Sequence, residues 1–270
     1  MNTKEFRLDV EALISQATNG KGYLHYGYWP SAAADEMTLA RIGLAQQHYF
    51  DLLLASLPAG TQRILDVGSG TGSNALAFLR QGLEVDCVCP SARLNLLARE
   101  KLPASCQIHE TTFESFSSPQ HYDALVFAES FHYLKTSEAL NQIDRYARRG
   151  AVIFDYFPRG TAPADIRTTH AAFLALVDRH LAGRFEIIGD EDLTDNIVPT
   201  FEVLDHIKMR LIRPFVAKSI EGFRQSRPIA AFLLSPLLRR LGRKSSVIRD
   251  RGQSFKNEYE YRLIRLARVA

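Results

Sequence analysis

The run RILDVGSGTGSNALAFL at residues 63–79 limits the fold more than any other part of the chain. An apolar, β-branched stretch ends at Asp66-Val67, Gly68, Gly70 and Gly72 alternate with Ser69 and Thr71, and a helical pattern follows at once. Glycine accepts left-handed backbone and lets a ligand approach the main chain closely. A strand that turns so abruptly into a helix opens a βα unit, and ligands of open α/β sheets sit at the carboxyl ends of such strands. A plain strand-to-helix turn is the bland alternative.

The spacing narrows the ligand. The dinucleotide fingerprint G-x-G-x-x-G fails because Ser73 stands where its third glycine belongs, and a phosphate loop needs a Lys that this turn lacks. Asp66 repels a pyrophosphate but attracts a cation, so a ligand carrying an ammonium and a sulfonium suits the turn better than a nicotinamide dinucleotide.

The rest of the central segment agrees with a parallel sheet. Short apolar runs at Arg63–Val67, Glu84–Val88, Gln107–His109, Ala124–Ala128 and Ala151–Phe154 alternate with helical patterns at Asn74–Arg80, Ala92–Lys101 and Ser137–Arg148, the signature of βαβ units. The first 60 residues read as helices, with Thr38–Ser56 closed by Leu57-Pro58-Ala59-Gly60. Further on, Asp165–Leu181 reads as a helix, Arg184–Ile188 as a short strand, Thr194–Arg251 as mostly helical and Glu258–Leu266 as a strand.

Asp66-Val67-Gly68-Ser69-Gly70-Thr71-Gly72 resembles the first motif of class I S-adenosylmethionine-dependent methyltransferases, and the resemblance extends over residues 23–156 and the last strand. It implies an α/β, Rossmann-like seven-stranded sheet with an antiparallel last strand. Around that sheet the division expected is an N-terminal helical lid at 1–58, a core at 59–190, a helical cap at 191–252 and the last strand at 253–270. It also implies S-adenosyl-L-methionine as cofactor, with Asp66, Gly68, Ser69, Gly70 and Gly72 against its methionine part. Cys89 stands where the family carries an acid for the ribose hydroxyls, and a thiol accepts poorly from two hydroxyls. Pro90 fits the family, and Ser91 is placed to cap the next helix. Thr112 and Phe113 fall at the expected adenine contact.

In the family the end of the fourth strand lies beside the transferable methyl, which puts Glu129, Ser130, His132 and Tyr133 of ALVFAESFHYL near the chemistry. Histidine titrates near neutrality and can take a proton from an acceptor. His132 is therefore the leading base, His25 the second, and Glu129 orients the cofactor. The segment GKGYLHYGYWP resembles the lid of methyltransferases of the tocopherol and cyclopropane-fatty-acid types. Tyr23 and Tyr28 are assigned to the cofactor, and Tyr26, Trp29, Tyr133 and Tyr156 to a small hydrophobic substrate. Aromatic walls attract a sulfonium.

Charge is uneven. Residues 205–270 hold 16 Lys and Arg against 5 Asp and Glu, a net of +11, and the remaining residues sum to −8. The basic 205–256 region, with apolar residues between its Arg side chains, reads as a solvated cap or as a face for an acidic carrier protein or anionic lipid surface. An RNA methyltransferase is one alternative, disfavoured because no recognised RNA-binding module is present and the rest of the chain is acidic, and a cofactor-binding family member without transferase activity is the other. The longest apolar stretch, Ile229–Leu238, is far short of the roughly 18 residues that span a bilayer. The opening MNTKEFRLDV lacks the apolar core of a secretory signal. Cys87, Cys89 and Cys106 leave one thiol over from any pairing and match no metal-ligand spacing, so a reducing, cytoplasmic setting and no metal are expected.

Overall fold

The structure is a computed structural model that describes residues 23–30, 39–160, 168–207, 209–210, 213–246 and 250–269. Its centre is a seven-stranded sheet of order β3-β2-β1-β4-β5-β7-β6. The strands are β1 Arg63–Val67, β2 Glu84–Val88, β3 Ile108–His109, β4 Tyr122–Ala128, β5 Ala147–Pro158, β6 Phe185–Asp192 and β7 Tyr259–Arg268. Strands β1 to β5 pair in parallel, and β7 runs antiparallel to both β5 and β6. The strand order reverses between β1 and β4, so the crevice for a ligand falls at their carboxyl ends.

Side chains alternate between the two faces of each strand, and both faces are dry. On one face Leu65, Val67, Phe127 and Ile153 pack against Ala139, Leu140 and Ile143 of α4 (Thr136–Tyr146) and Phe173 and Val177 of α5 (His170–Leu181). On the other, Ile64, Val126, Val152 and Phe154 meet Tyr49, Phe50 and Leu53 of α1 (Leu39–Ala55), Ala75 and Phe78 of α2 (Ser73–Arg80), and Ala98 of α3 (Ala92–Arg99). Burial on both sides explains why these strands read as continuous apolar runs.

The helices between β6 and β7 are α6 Thr194–Ile197, α7 Pro199–Ile207, α8 Arg213–Ser226, α9 Pro228–Leu233, α10 Ser235–Ser246 and α11 Arg251–Glu258.

Four expectations need correction. Residues 23–30 are extended rather than helical, with Tyr23, His25, Gly27 and Trp29 buried and Leu24, Tyr26 and Tyr28 half-buried between them. The alternation of period two is one of burial, and the aromatic-rich sequence does not by itself select it over a helical period. Strand β5 runs from Ala147 to Pro158, longer at both ends than Ala151–Phe154, because it pairs with β4 from Ala147 as far as Phe154 and with β7 from Gly150 to Pro158. It also takes Ala147 and Arg148 from the expected fourth helix. Strand β6 continues to Asp192, where Arg262 of β7 pairs with Asp190 and Asp192. The expected helix at Asp165 begins at His170 among the described residues, with Thr169 capping its N-terminus, and 161–167 lie outside them.

Candidate active site

The glycine turn is built by left-handed backbone. Gly68, Gly70 and Gly72 have φ of 76°, 56° and 74°. The Gly68 N–H donates to Val88 O at 2.7 Å, which ties the turn to the end of β2. Space is as restrictive as conformation. A Cβ on Gly68 would lie 2.3 Å from the Ser130 Cβ, and one on Gly70 would lie 3.0 Å from Leu24 Cδ1. Gly72 then opens α2, whose first N–H groups carry the positive end of the helix dipole.

Asp66 stands one residue before the end of β1, 1% exposed, and its Oδ2 has no hydrogen-bond partner among the described residues. Burial disfavours the charged form, so the carboxyl pKa is pushed up to about 7. A buried acid next to a helix N-terminus gives this corner both signs of attraction, for a cation at Asp66 and for an anion at α2.

The extended segment 23–30 crosses the turn. Leu24 lies over Gly70. His25 stacks on Tyr49 at 4.0 Å between centroids, and Tyr49 stacks on Phe154 at 4.0 Å. The Tyr26 N–H donates to Glu129 Oε1 at 2.8 Å, and the same oxygen accepts from the Tyr261 hydroxyl at 2.6 Å. Glu129 is held at φ 53°, a left-handed conformation unusual for a side chain of its size. Past Gly27, Thr200 Oγ1 accepts from the Gly27 N–H and the Trp29 indole N–H, and Asn196 bonds the Trp29 main chain in both directions. The segment is thus pinned to the sheet at Glu129 and to α6 and α7 at its far end.

At the end of β4 a short 3-10 turn, Phe131–Tyr133, presents His132. Its Nδ1 lies 2.8 Å from Asp155 Oδ1, and its main-chain N–H donates to Asp155 Oδ2 at 3.0 Å. A carboxylate there keeps the proton on Nδ1. Nε2 is left as the basic nitrogen, buried and without a partner among the described residues. The ring sits between Tyr133 and Tyr156, at 3.8 and 4.3 Å, on a small cleft lined also by Phe131, Leu134 and Phe157. At the end of β5, Tyr26, Tyr156, Phe201, Phe255, Tyr259 and Tyr261 form one aromatic cluster that meets His132 through Tyr156.

The structure therefore gathers Asp66, Gly68, Ser69, Gly70, Gly72, Glu129, Tyr26, His132, Tyr133 and Tyr156 along the carboxyl ends of β1, β4 and β5. Other expected residues are committed elsewhere. The His25 Nδ1 bonds the Tyr26 carbonyl at 2.7 Å, and burial lowers the pKa to about 4, so the imidazole is neutral and enclosed. Trp29 is enclosed by Ile42, Ala45 and Val203 as a strut between α1 and α7. Tyr23 is buried against His25, its pKa raised to about 12 mainly by that burial, and the Tyr28 N–H donates to Ala45 O. Phe113 is 1% exposed, packed between Phe116 and Phe127, whereas Thr112 is exposed. Cys89 is buried, its thiol pKa raised by desolvation, and Pro90 is exposed. Asn95 Nδ2 bridges Cys89 O and Glu110 Oε2, which brings a carboxylate close to the end of β2.

Residues 64–150, which hold β1 to β4 and the start of β5, match a family model described as a methyltransferase domain. That stretch is therefore similar to methyltransferase domains. An uncharacterized methyltransferase of Bacillus thuringiensis (strain Al Hakam) is 32% identical over 111 residues, 40% of this chain and 52% of that protein. The chain thus spans about half the length of the curated relatives it matches. Among solved structures, the geranyl diphosphate C-methyltransferase of Streptomyces coelicolor A3(2), in complex with Mg2+, geranyl-S-thiolodiphosphate and S-adenosyl-L-homocysteine, superposes with TM-score 0.66 at 15% identity, covering 96% of this chain and 92% of that one. StiE O-MT, residues 942–1257, gives 0.65 at 13% identity, covering 94% and 90%. These likenesses show the class I methyltransferase fold well beyond the 64–150 match, with the glycine turn at its first βα crossing.

Proposed function

We propose that the chain binds S-adenosyl-L-methionine at the Asp66–Gly72 turn and transfers its methyl group to an oxygen or activated carbon of a small hydrophobic acceptor. The observation that carries this reading is Asp66, a buried carboxyl with an unpartnered oxygen, beside three left-handed glycines at the β1/β4 reversal. The residues present fit the cofactor. Its methionine end is a zwitterion, for which the corner supplies Asp66 to the ammonium and the α2 N-terminus to the carboxylate. The likeness to a methyltransferase in complex with S-adenosyl-L-homocysteine supports the same choice.

When bound, the cofactor supplies an electrophilic methyl on a sulfonium. The chain's own residues do the rest. His132 Nε2 takes the acceptor proton, with Asp155 holding the ring and stabilising its charge. Glu129 holds residues 23–30 across the site, which keeps water out. Tyr133 and Tyr156 flank His132 and hold the acceptor. The cluster of Tyr26, Phe201 and Phe255 supplies the apolar wall expected for a polyketide-like, aromatic or fatty-acyl acceptor, and the basic 205–256 region meets an anionic partner.

The test is incubation of the purified chain with methyl-labelled cofactor and a panel of phenolic, enolic and fatty-acyl acceptors, followed by mass spectrometry. A labelled product that disappears with His132→Ala is the expected result. Binding of the cofactor with transfer to none of these acceptors favours a non-catalytic binding protein instead.

A further inference from the structure

Helices α8, α9 and α10 pack chiefly on one another. Helix α8 buries no residue, and its inner row, Val216, Ile220 and Phe223, is only half-buried against its neighbours. The outer side chains are apolar and project: Phe215 is 73% exposed, Ile229 78% and Phe232 79%. Soluble proteins rarely leave such side chains grouped in water unless a partner covers them. The same segment carries Lys218, Arg224, Arg227, Arg239 and Arg240, all exposed. Residues 213–246 hold eight Lys and Arg against one acid, Glu221.

We infer that α8–α10 dock the protein on an anionic lipid bilayer surface. The charge selects an anionic partner. The apolar shape selects lipid, because side chains more than two-thirds exposed are knobs without walls to form a groove. A knob enters the soft headgroup boundary, where it buries apolar area while Arg side chains meet phosphates. Pro228 and Pro236 break the segment into short helices, which keeps it on the surface rather than across the bilayer, and no described helix is long and apolar enough to cross a membrane. The flanking α7 and α11 carry Phe201 and Phe255 of the aromatic cluster, so in sequence the docking helices lie between two elements that wall the candidate site.

The experiment is flotation of the full chain with phosphatidylcholine vesicles, with and without phosphatidylglycerol, at low and high salt. The expected result is binding only to vesicles containing phosphatidylglycerol, weakened about tenfold or more by high salt. Ile229→Glu with Phe232→Glu, and separately Arg239→Glu with Arg240→Glu, lose that binding while thermal melts and S-adenosyl-L-homocysteine affinity stay unchanged. Equal binding to neutral vesicles, undiminished binding by the Ile229/Phe232 variant, or capture of an acidic carrier protein without vesicle binding overturns the inference. The cofactor readout is independent of lipid, so its failure would strike the methyltransferase reading and leave the docking surface standing.

Discussion

His132 Nδ1 lies 2.8 Å from Asp155 Oδ1, at the carboxyl ends of two adjacent parallel strands. The acid also accepts the main-chain N–H groups of His132 and Tyr156, so its orientation is fixed from three directions. His132→Gln is expected to lower methyl transfer by about 10²–10⁴-fold with little change in cofactor affinity. Asp155→Asn frees the imidazole tautomer, and nitrogen NMR of His132 is expected to shift from an Nδ1-protonated ring to a mixture. An unchanged tautomer in that variant would remove Asp155 as the positioning group.

Asp66 and His25 tilt stability in opposite directions with pH. Asp66, raised to about 7, holds a proton in the folded state that the unfolded chain loses above its ordinary value, so its contribution falls as pH rises from about 4 to 7. His25, lowered to about 4, lacks in the folded state a proton that the unfolded chain holds below 6.5, so its contribution falls as pH drops from 6.5 to 4. Between pH 4 and 6.5 the two slopes cancel. Relative to the parent chain, Asp66→Asn is expected to gain stability toward high pH and His25→Phe toward low pH, each by a slope approaching about 1.4 kcal/mol per pH unit. Urea titrations across this range measure both slopes, and slopes of the same sign would refute the account.

Glu129 ties residues 23–30 to the sheet through a charged acceptor. Hydrogen bonds to charged groups contribute about 1.5–3 kcal/mol. Glu129→Ala is expected to speed hydrogen exchange of the Tyr26 amide by about 10- to 100-fold, while amides of β4 stay protected. Equal acceleration in β4 would mean that the whole fold, and not residues 23–30 alone, had loosened.

Two glycines separate conformation from space. Gly82 has φ 85°, and a methyl placed on its Cα would meet nothing within 4 Å, whereas Gly68 has φ 76° and would meet Ser130 at 2.3 Å. Gly82→Ala is expected to cost about 1–2 kcal/mol, the penalty of left-handed backbone alone. Gly68→Ala adds a backbone shift against Ser130 and is expected to cost at least twice as much in a thermal melt. Equal losses would show that the turn has room to move.

The parallel core is legible because strands buried on both faces and punctuated by Gly-rich turns leave an unambiguous apolar pattern. The same holds for β7, whose reversed direction comes from the family resemblance and not from EYEYRLIRL itself. Residues 23–30 mislead because four aromatics and a His satisfy either period, and only tertiary contacts with Ala45, Glu129 and Thr200 select the extended form. Asp155 is hidden as the partner of His132 because it lies 23 residues away on the neighbouring strand, and parallel register alone brings them together. Tyr49, stacked on His25 and Phe154, and Tyr261, bonded to Glu129, have nothing in their sequence context that sets them apart from core residues. Trp29 and Phe113 show the converse: both have the right chemistry for a ligand wall, and packing claims them first.

Calorimetric titration of S-adenosyl-L-homocysteine into the purified chain tests the glycine turn most directly. The account predicts saturable binding at one site, a proton released near pH 7 as the ligand's ammonium lowers the raised Asp66 pKa, and loss of binding in Gly70→Val. No binding heat, or undiminished affinity in Gly70→Val, would contradict it.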